Sequence, residues 1–386
     1  MKKYAFYPGC VARGGAPELY QSSLLVLDKL GIETIELDKA ACTGAGVLQE
    51  KNQKLGDVLN IRTLAFAEDM NLPIITICST CQGVMSQANH RVLKNPEYLE
   101  EINSELREEG LEYKGSTEVK HLLWILIEDI GLNELQKTFK KELKGFNFAP
   151  FYGCYIVRPS DALGFSENPE RQHSLDMVIN STGASVTDFS GKTKCCGFPI
   201  LLINQKNSLK MVSNHTGEAK DKGADAMVTP CPLCHLNLDG YQGKARKDNR
   251  GDKGDLPIIH LPQLLGLAMG IEPYRLGFAR HIVSTKDFIS SISPGERYSD
   301  PQNFNVAMLL GMIGFGSLIF ALITAIAAFF ILRAILIYEW GDNSFTHYID
   351  TCSFENIFII GKYICSFLEV TEKVWDWGIS ILTSLF

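Results

Sequence analysis

Along the first three hundred positions, short runs of β-branched and aromatic residues alternate with longer stretches whose apolar residues recur every three or four places. The short runs, at 4–6, 32–37, 73–77, 148–152, 184–189 and 226–229, read as strands. The longer stretches read as helices over 16–30, 55–70, 169–181 and 209–222. In the first of these, Leu19, Leu24, Leu27 and Leu30 form the apolar stripe and Gly31 ends it. In the third, Asn168 stands at the N-cap position with Pro169 behind it. Strands alternating with helices predict an α/β chain whose parallel sheets are covered by helices. The pattern changes near the end of the chain. Residues 306–332 carry no charged side chain, and 27 residues at about 1.5 Å each exceed a hydrocarbon core of about 30 Å, which predicts a transmembrane helix. Small residues (Gly314, Ala321, Ala325, Ala328) would allow a close helix partner, and Arg333, Tyr338 and Trp340 suit its interfacial end. Further on, Lys362, Ser366, Glu369, Lys373, Asp376 and Ser380 make a polar stripe on an otherwise apolar helix, as expected of a segment lying in the membrane interface or of a second span.

Cysteine placement turns this outline into chemistry. The second half reads Cys154, then Cys195-Cys196-Gly197, then Cys231-Pro232-Leu233-Cys234. Five thiols cannot pair evenly, and soft thiolates gathered together suit iron–sulfur clusters or zinc. Five ligands exceed a tetrahedral zinc site or an ordinary cubane, so a four-iron cluster with an extra or bridging thiolate, cubane or non-cubane, is the sharper reading. Zinc, or buried structural cysteines, stay open. A weaker copy lies upstream: Cys10, Cys42 and Cys78-Ser79-Thr80-Cys81 precede Cys154, Cys196 and Cys231–Cys234 by 144, 154 and 153 residues. Such near-constant offsets mark a duplication. Ala41 stands where Cys195 stands in the second copy, leaving four thiols for zinc or a second iron–sulfur cluster. All nine fall just past the carboxyl end of a predicted strand, where open α/β sheets hold ligands. Gly9, Gly44, Gly153 and Gly197 sit beside them and would let backbone approach a cluster or simply turn the chain.

The phrases YPGC at 7–10, ACTGAG at 41–46, CSTCQG at 78–83, TPCPLCHLNLD at 229–239 and LPIIHLPQLLGLAMG at 256–270 resemble the cysteine-rich CCG domains of the B-type subunit of heterodisulfide reductase. They look most like the related subunit of type E succinate dehydrogenases and fumarate reductases. The likeness covers about residues 1–285. The alanine at 41 and the tail after 295 depart from the family pattern. The resemblance implies two CCG domains, 1–145 with four cysteines and 146–295 with five, and the apolar and amphipathic runs of the tail add membrane segments at 303–340 and 354–386. It further implies a membrane-anchoring iron–sulfur subunit that passes electrons between partner flavoprotein and iron–sulfur subunits and quinone. Two other classes remain: a heterodisulfide reductase subunit cleaving a disulfide at its cluster, and a zinc-stabilised adaptor without catalysis.

The rest of the composition narrows the setting. The net charge of −7 gives no reason to expect nucleic acid. Eleven cysteines without a leader-like N-terminus fit a reducing compartment, where thiols stay available for metal. Arg275, Arg280, Lys286 and Arg297 precede the apolar run and Glu339, Asp342, Asp350 and Glu355 follow it, so an inner-membrane protein with its CCG domains on the cytoplasmic face is expected. His235, directly after Cys234, and His260 are candidate proton relays to a quinone or disulfide. His90, His121, His173, His215 and His281 carry no motif, and Cys352 and Cys365 lack metal spacing. Residues 240–255, polar and glycine-rich, read as a solvated loop.

Overall fold

In the computed structural model, residues 2–249 and 255–299 are described. The expected membrane segments at 303–340 and 354–386, with Cys352 and Cys365, lie outside them. Among the described residues no helix is long and apolar enough to cross a membrane.

The duplication seen in the cysteines extends to the sheets. The first half forms β1 Lys2–Tyr7, β2 Ile32–Glu36, β3 Ile74–Thr76 and β4 Val119–His121, in the order β2-β1-β3-β4. The second forms β5 Asn147–Pro150, β6 Ser185–Val186, β7 Ala226–Thr229 and β8 Ile258–His260, in the order β6-β5-β7-β8. Every pairing is parallel, and Thr76↔His121 in one sheet matches Thr229↔His260 in the other. Side chains alternate between the two faces of each strand, and both faces are buried, as a parallel sheet requires. In β1, Tyr4 and Phe6 point into a core that also receives Phe148, Val228 and Ile259 from the second sheet. Ala5 and Tyr7 point the other way, into a core with Ile61 and Leu64 from helix Gln53–Asp69. Ala149 and Phe151 do the same in the second half, against Leu209 and Val212 of helix Gln205–Asp221. The two sheets therefore share one apolar layer between them and each owns an outer one. The sharing fixes the ends of the two sheets relative to each other, and with them the cysteine loops.

Three sequence expectations need correction. Asn168 does not cap a helix with its side chain: 169–173 is a 3-10 turn, and the Asn168 amide donates to the Gly164 carbonyl at 3.3 Å, so the α-helix starts at Ser174. Strand β6 is two residues rather than 184–189, because the chain leaves the sheet edge towards Cys195. The 240–255 segment is not all loop: Gln242–Asn249 is helical, held by the Gln242 side-chain amide, which both donates to and accepts from the Leu256 backbone at 2.8 and 3.0 Å. Strands β4 and β8 escaped the pattern because three residues cannot display a period.

Candidate metal centres

Each C-x-x-C begins a helix. Cys78 is the N-cap of Ser79–Lys94 and Cys231 that of Pro232–Gly240, so both second cysteines, Cys81 and Cys234, lie in a first helical turn. A helix N-terminus offers unpaired amides and partial positive charge, which favour thiolates and anionic clusters. The approach is set identically in both copies: the Thr76 hydroxyl receives the Cys78 amide at 3.4 Å, and the Thr229 hydroxyl the Cys231 amide at 3.3 Å.

The nine cysteines among the described residues are all free, and the structure gathers them in two neighbouring groups, one in each half. In the first half Cys10 and Cys42 are exposed, with their sulfurs 3.4 Å apart, while Cys78 and Cys81 are buried. The Tyr7 hydroxyl donates to the Ala41 carbonyl at 2.7 Å and holds the loop where the second copy has its additional cysteine. In the second half Cys154 neighbours Cys195, which neighbours Cys196, which neighbours Cys234, which neighbours Cys231. Cys78 in turn lies beside Cys231, so the two sets touch. This junction was not legible in the sequence.

Three observations bear on a bound metal group. First, glycines make room for sulfur: at φ +82° and +76°, a Cβ on Gly9 would stand 3.1 Å from Cys81 Sγ, and one on Gly153 would stand 2.9 Å from Cys234 Sγ. The spaces at Gly44 and Gly197 are taken by Leu48 and Ser208 instead, so a Cβ there would meet the chain rather than sulfur. Second, backbone amides point at sulfur, Gly197 N to Cys195 at 3.4 Å and Phe198 N to Cys196 at 3.5 Å. Third, the thiols act on one another: neighbouring thiols and burial push Cys154, Cys196 and Cys234 upward, hydrogen bonds from the same row hold Cys195 and Cys231 down, and burial with Cys42 pushes Cys10 to about 11. Only a cation would hold such groups together as thiolates. The residues fit a thiolate-bound metal group in each half.

A second constellation lies behind Cys234. His235, His260 and His281 gather there, with the His235 and His260 rings stacked at 3.9 Å. Helix Pro17–Lys29 packs on helix Leu261–Ala268 and brings Glu18 to within 3.3 Å of His260 Nε2. Burial raises the Glu18 carboxyl, but the bond to His260 outweighs it and the net shift is downward. The other Glu18 oxygen lies 3.8 Å from the Arg280 guanidinium, which is half exposed. The Gln263 amide bridges the His260 backbone and His281, at 2.9 Å to each. Burial, then His260, drives His235 well below its usual range. The structure thus unites the two predicted histidines and adds Glu18 and His281, neither of which any motif signalled.

His121, set aside in the sequence, ends β4 and faces the junction. Its Nδ1 accepts from the Leu123 amide and its Nε2 donates to the Pro230 carbonyl, both at 2.9 Å, so a second proton has no place. Burial lowers this imidazole from 6.5 to about 4. The unfolded chain takes up a proton that the folded one refuses, so this contribution is complete above pH 6.5 and is lost as pH falls towards 4, by up to about 3 kcal/mol. The urea midpoint should fall between pH 7 and pH 5, and His121→Gln should flatten that fall. A parallel slope in the variant would contradict the assignment.

The profile of the cysteine-rich CCG domain matches the chain twice, over residues 4–86 and 148–239. The chain is 36% identical over 282 residues to the 8-methylmenaquinol:fumarate reductase membrane anchor subunit of Wolinella succinogenes, covering 73% of this chain and 97% of that one. It is 31% identical over 295 residues to the B-type subunit of the ferredoxin/F(420)H(2)-dependent CoB-CoM heterodisulfide reductase of Methanosarcina acetivorans, covering 76% and 97%. Among solved structures, a hypothetical protein from Helicobacter pylori shares the fold at a TM-score of 0.59 and 19% identity, over 73% of this chain. This chain spans about half of that protein, 52%.

Proposed function

The chain belongs to the cysteine-rich CCG domain family, and on that premise we propose that it is the membrane-anchoring iron–sulfur subunit of a succinate:quinone oxidoreductase or fumarate reductase. In this reading it links partner flavoprotein and iron–sulfur subunits to quinone, and no dicarboxylate chemistry is its own. The observation that carries it is the five-thiol set of the second half, read with 36% identity to a fumarate reductase anchor subunit across nearly that subunit's whole length. Cys154, Cys195, Cys196, Cys231 and Cys234 would hold a four-iron cluster, and Cys10, Cys42, Cys78 and Cys81 a second cluster or zinc. Such clusters supply one-electron transfer.

The chain's own residues supply the proton. In this reading His260, fully buried and oriented at its Nε2 by Glu18, passes a proton to or from a quinone, while the permanently charged Arg280 holds Glu18 from the surface side. His235, stacked on His260, brings these residues next to Cys234. The tail from 303 onward is the membrane attachment, the two halves are its CCG domains, and they face the cytoplasm. The complex assayed with succinate and a quinone should turn over, with an EPR signal from the second-half centre. Turnover with a thiol–disulfide pair instead would assign it to heterodisulfide chemistry, as in its 31% identical relative. A colourless, EPR-silent protein holding only zinc would make it an adaptor.

A further inference from the structure

The duplicated C-x-x-C motifs differ in the two residues they enclose, Ser79-Thr80 in the first and Pro232-Leu233 in the second. The polar pair crosses to the other half. The Ser79 amide and hydroxyl both donate to the Pro230 carbonyl, at 3.3 and 3.1 Å, and His121 Nε2 donates to the same oxygen at 2.9 Å. Three donors thus lock the residue that precedes Cys231. Beside them the Thr80 hydroxyl stands 3.3 Å from Cys231 Sγ. Cys231 Sγ is the hydroxyl's hydrogen-bond partner, and Thr80 and Cys231 are 5% and 2% exposed, so water does not compete for the bond.

We propose that Thr80 tunes the redox potential of the second-half metal centre from the first half, by donating a hydrogen bond to the sulfur of Cys231. This rests on the reading above that Cys231 is a ligand of that centre. Reduction adds negative charge that the ligand sulfurs share. A donor aimed at one of them stabilises the reduced form more than the oxidised one. Buried and dry, the bond acts in a low dielectric and is stronger for it. Pro232 and Leu233, at the matching positions of the second motif, have no hydroxyl, so no equivalent hydroxyl bond runs from them to a first-half sulfur. Ser79 and His121 act as positioning residues, keeping the Cys231 turn within reach of Thr80.

The experiment is a potentiometric titration of the full complex, followed by EPR of the second-half centre, in the parent and in Thr80→Val, Thr80→Ala and Thr80→Ser. Valine keeps the shape and removes the donor. Its centre should be harder to reduce, with the reduced-to-oxidised ratio at a fixed ambient potential falling about tenfold, or 59 mV for a one-electron couple. Serine should restore the parent value. An unchanged potential in whichever of the valine and alanine variants retains its iron would overturn the proposal. Loss of iron from both would overturn it too, assigning Thr80 to assembly instead. Cys231→Ser separates the premise from the proposal: a second-half signal that survives in that variant removes Cys231 from the ligand set, whatever Thr80 does.

Discussion

Cys196→Ser is expected to empty the second-half centre of iron while the first half keeps its metal. Cys196 is 3% exposed and stands between Cys195 and Cys234 in the row of thiols. Its main chain is fixed from behind, with the Asn237 amide donating to the Cys196 carbonyl at 2.7 Å. A serine there puts a hard, protonated oxygen where a soft thiolate is needed. Outer partners of metal ligands already cost about 10–100-fold when lost, and a ligand itself should cost more. The checks are iron analysis, EPR and quinone reduction by the complex, and all three should collapse together. Undiminished turnover would take Cys196 out of the electron route. The same analysis tests the asymmetry at Ala41. Five thiolates are available only in the second half, so two equivalent five-cysteine clusters would contradict the assignment of sites.

The sequence showed the cysteines clearly because metal ligation leaves a signature in residue type and spacing. Strand–loop–helix order then located them, since parallel sheets put loops at one edge, and the structure gathers Cys10, Cys42, Cys78 and Cys81 in one half and the remaining five in the other. What the sequence concealed is what depends on the packing of one half on the other. Glu18 looks like an ordinary acidic residue in the first turn of a helix, and only the contact of that helix with Leu261–Ala268 carries it to His260, 242 positions away. Ser79 and Thr80 look like a polar C-x-x-C filler until Pro230 and Cys231 arrive beside them. His121 and His260 end the fourth strands of their sheets, an equivalence hidden by strands of three residues. The glycines divided by environment, although all four adjoin cysteines in the chain: a Cβ on Gly9 or Gly153 would meet sulfur, one on Gly44 or Gly197 would meet Leu48 or Ser208, and Gly197 reaches sulfur through its amide.

Ending the chain at Gln302 is expected to yield a protein that needs no detergent and keeps both metal centres. All nine gathered cysteines precede residue 235, and the described part closes on itself before the cut. There the Tyr274 amide donates to the Arg297 carbonyl at 3.0 Å, and the Tyr298 and Thr285 hydroxyls meet at 3.0 Å. What the cut removes includes the 306–332 run, 27 residues without a charged side chain, whose exposure to water would drive association. Gel filtration without detergent and iron analysis test the first expectation, and loss of metal on truncation would make the tail part of the metal-binding fold. The effect on catalysis should depend on the acceptor. A soluble dye reaches the centres from water, so its reduction should persist in the truncated complex. A long-chain quinone arrives within the bilayer, so its reduction should fall steeply once the subunit no longer sits at the membrane surface. An equal rate with long-chain quinone in both forms would show that the tail tethers the protein without shaping the quinone's path.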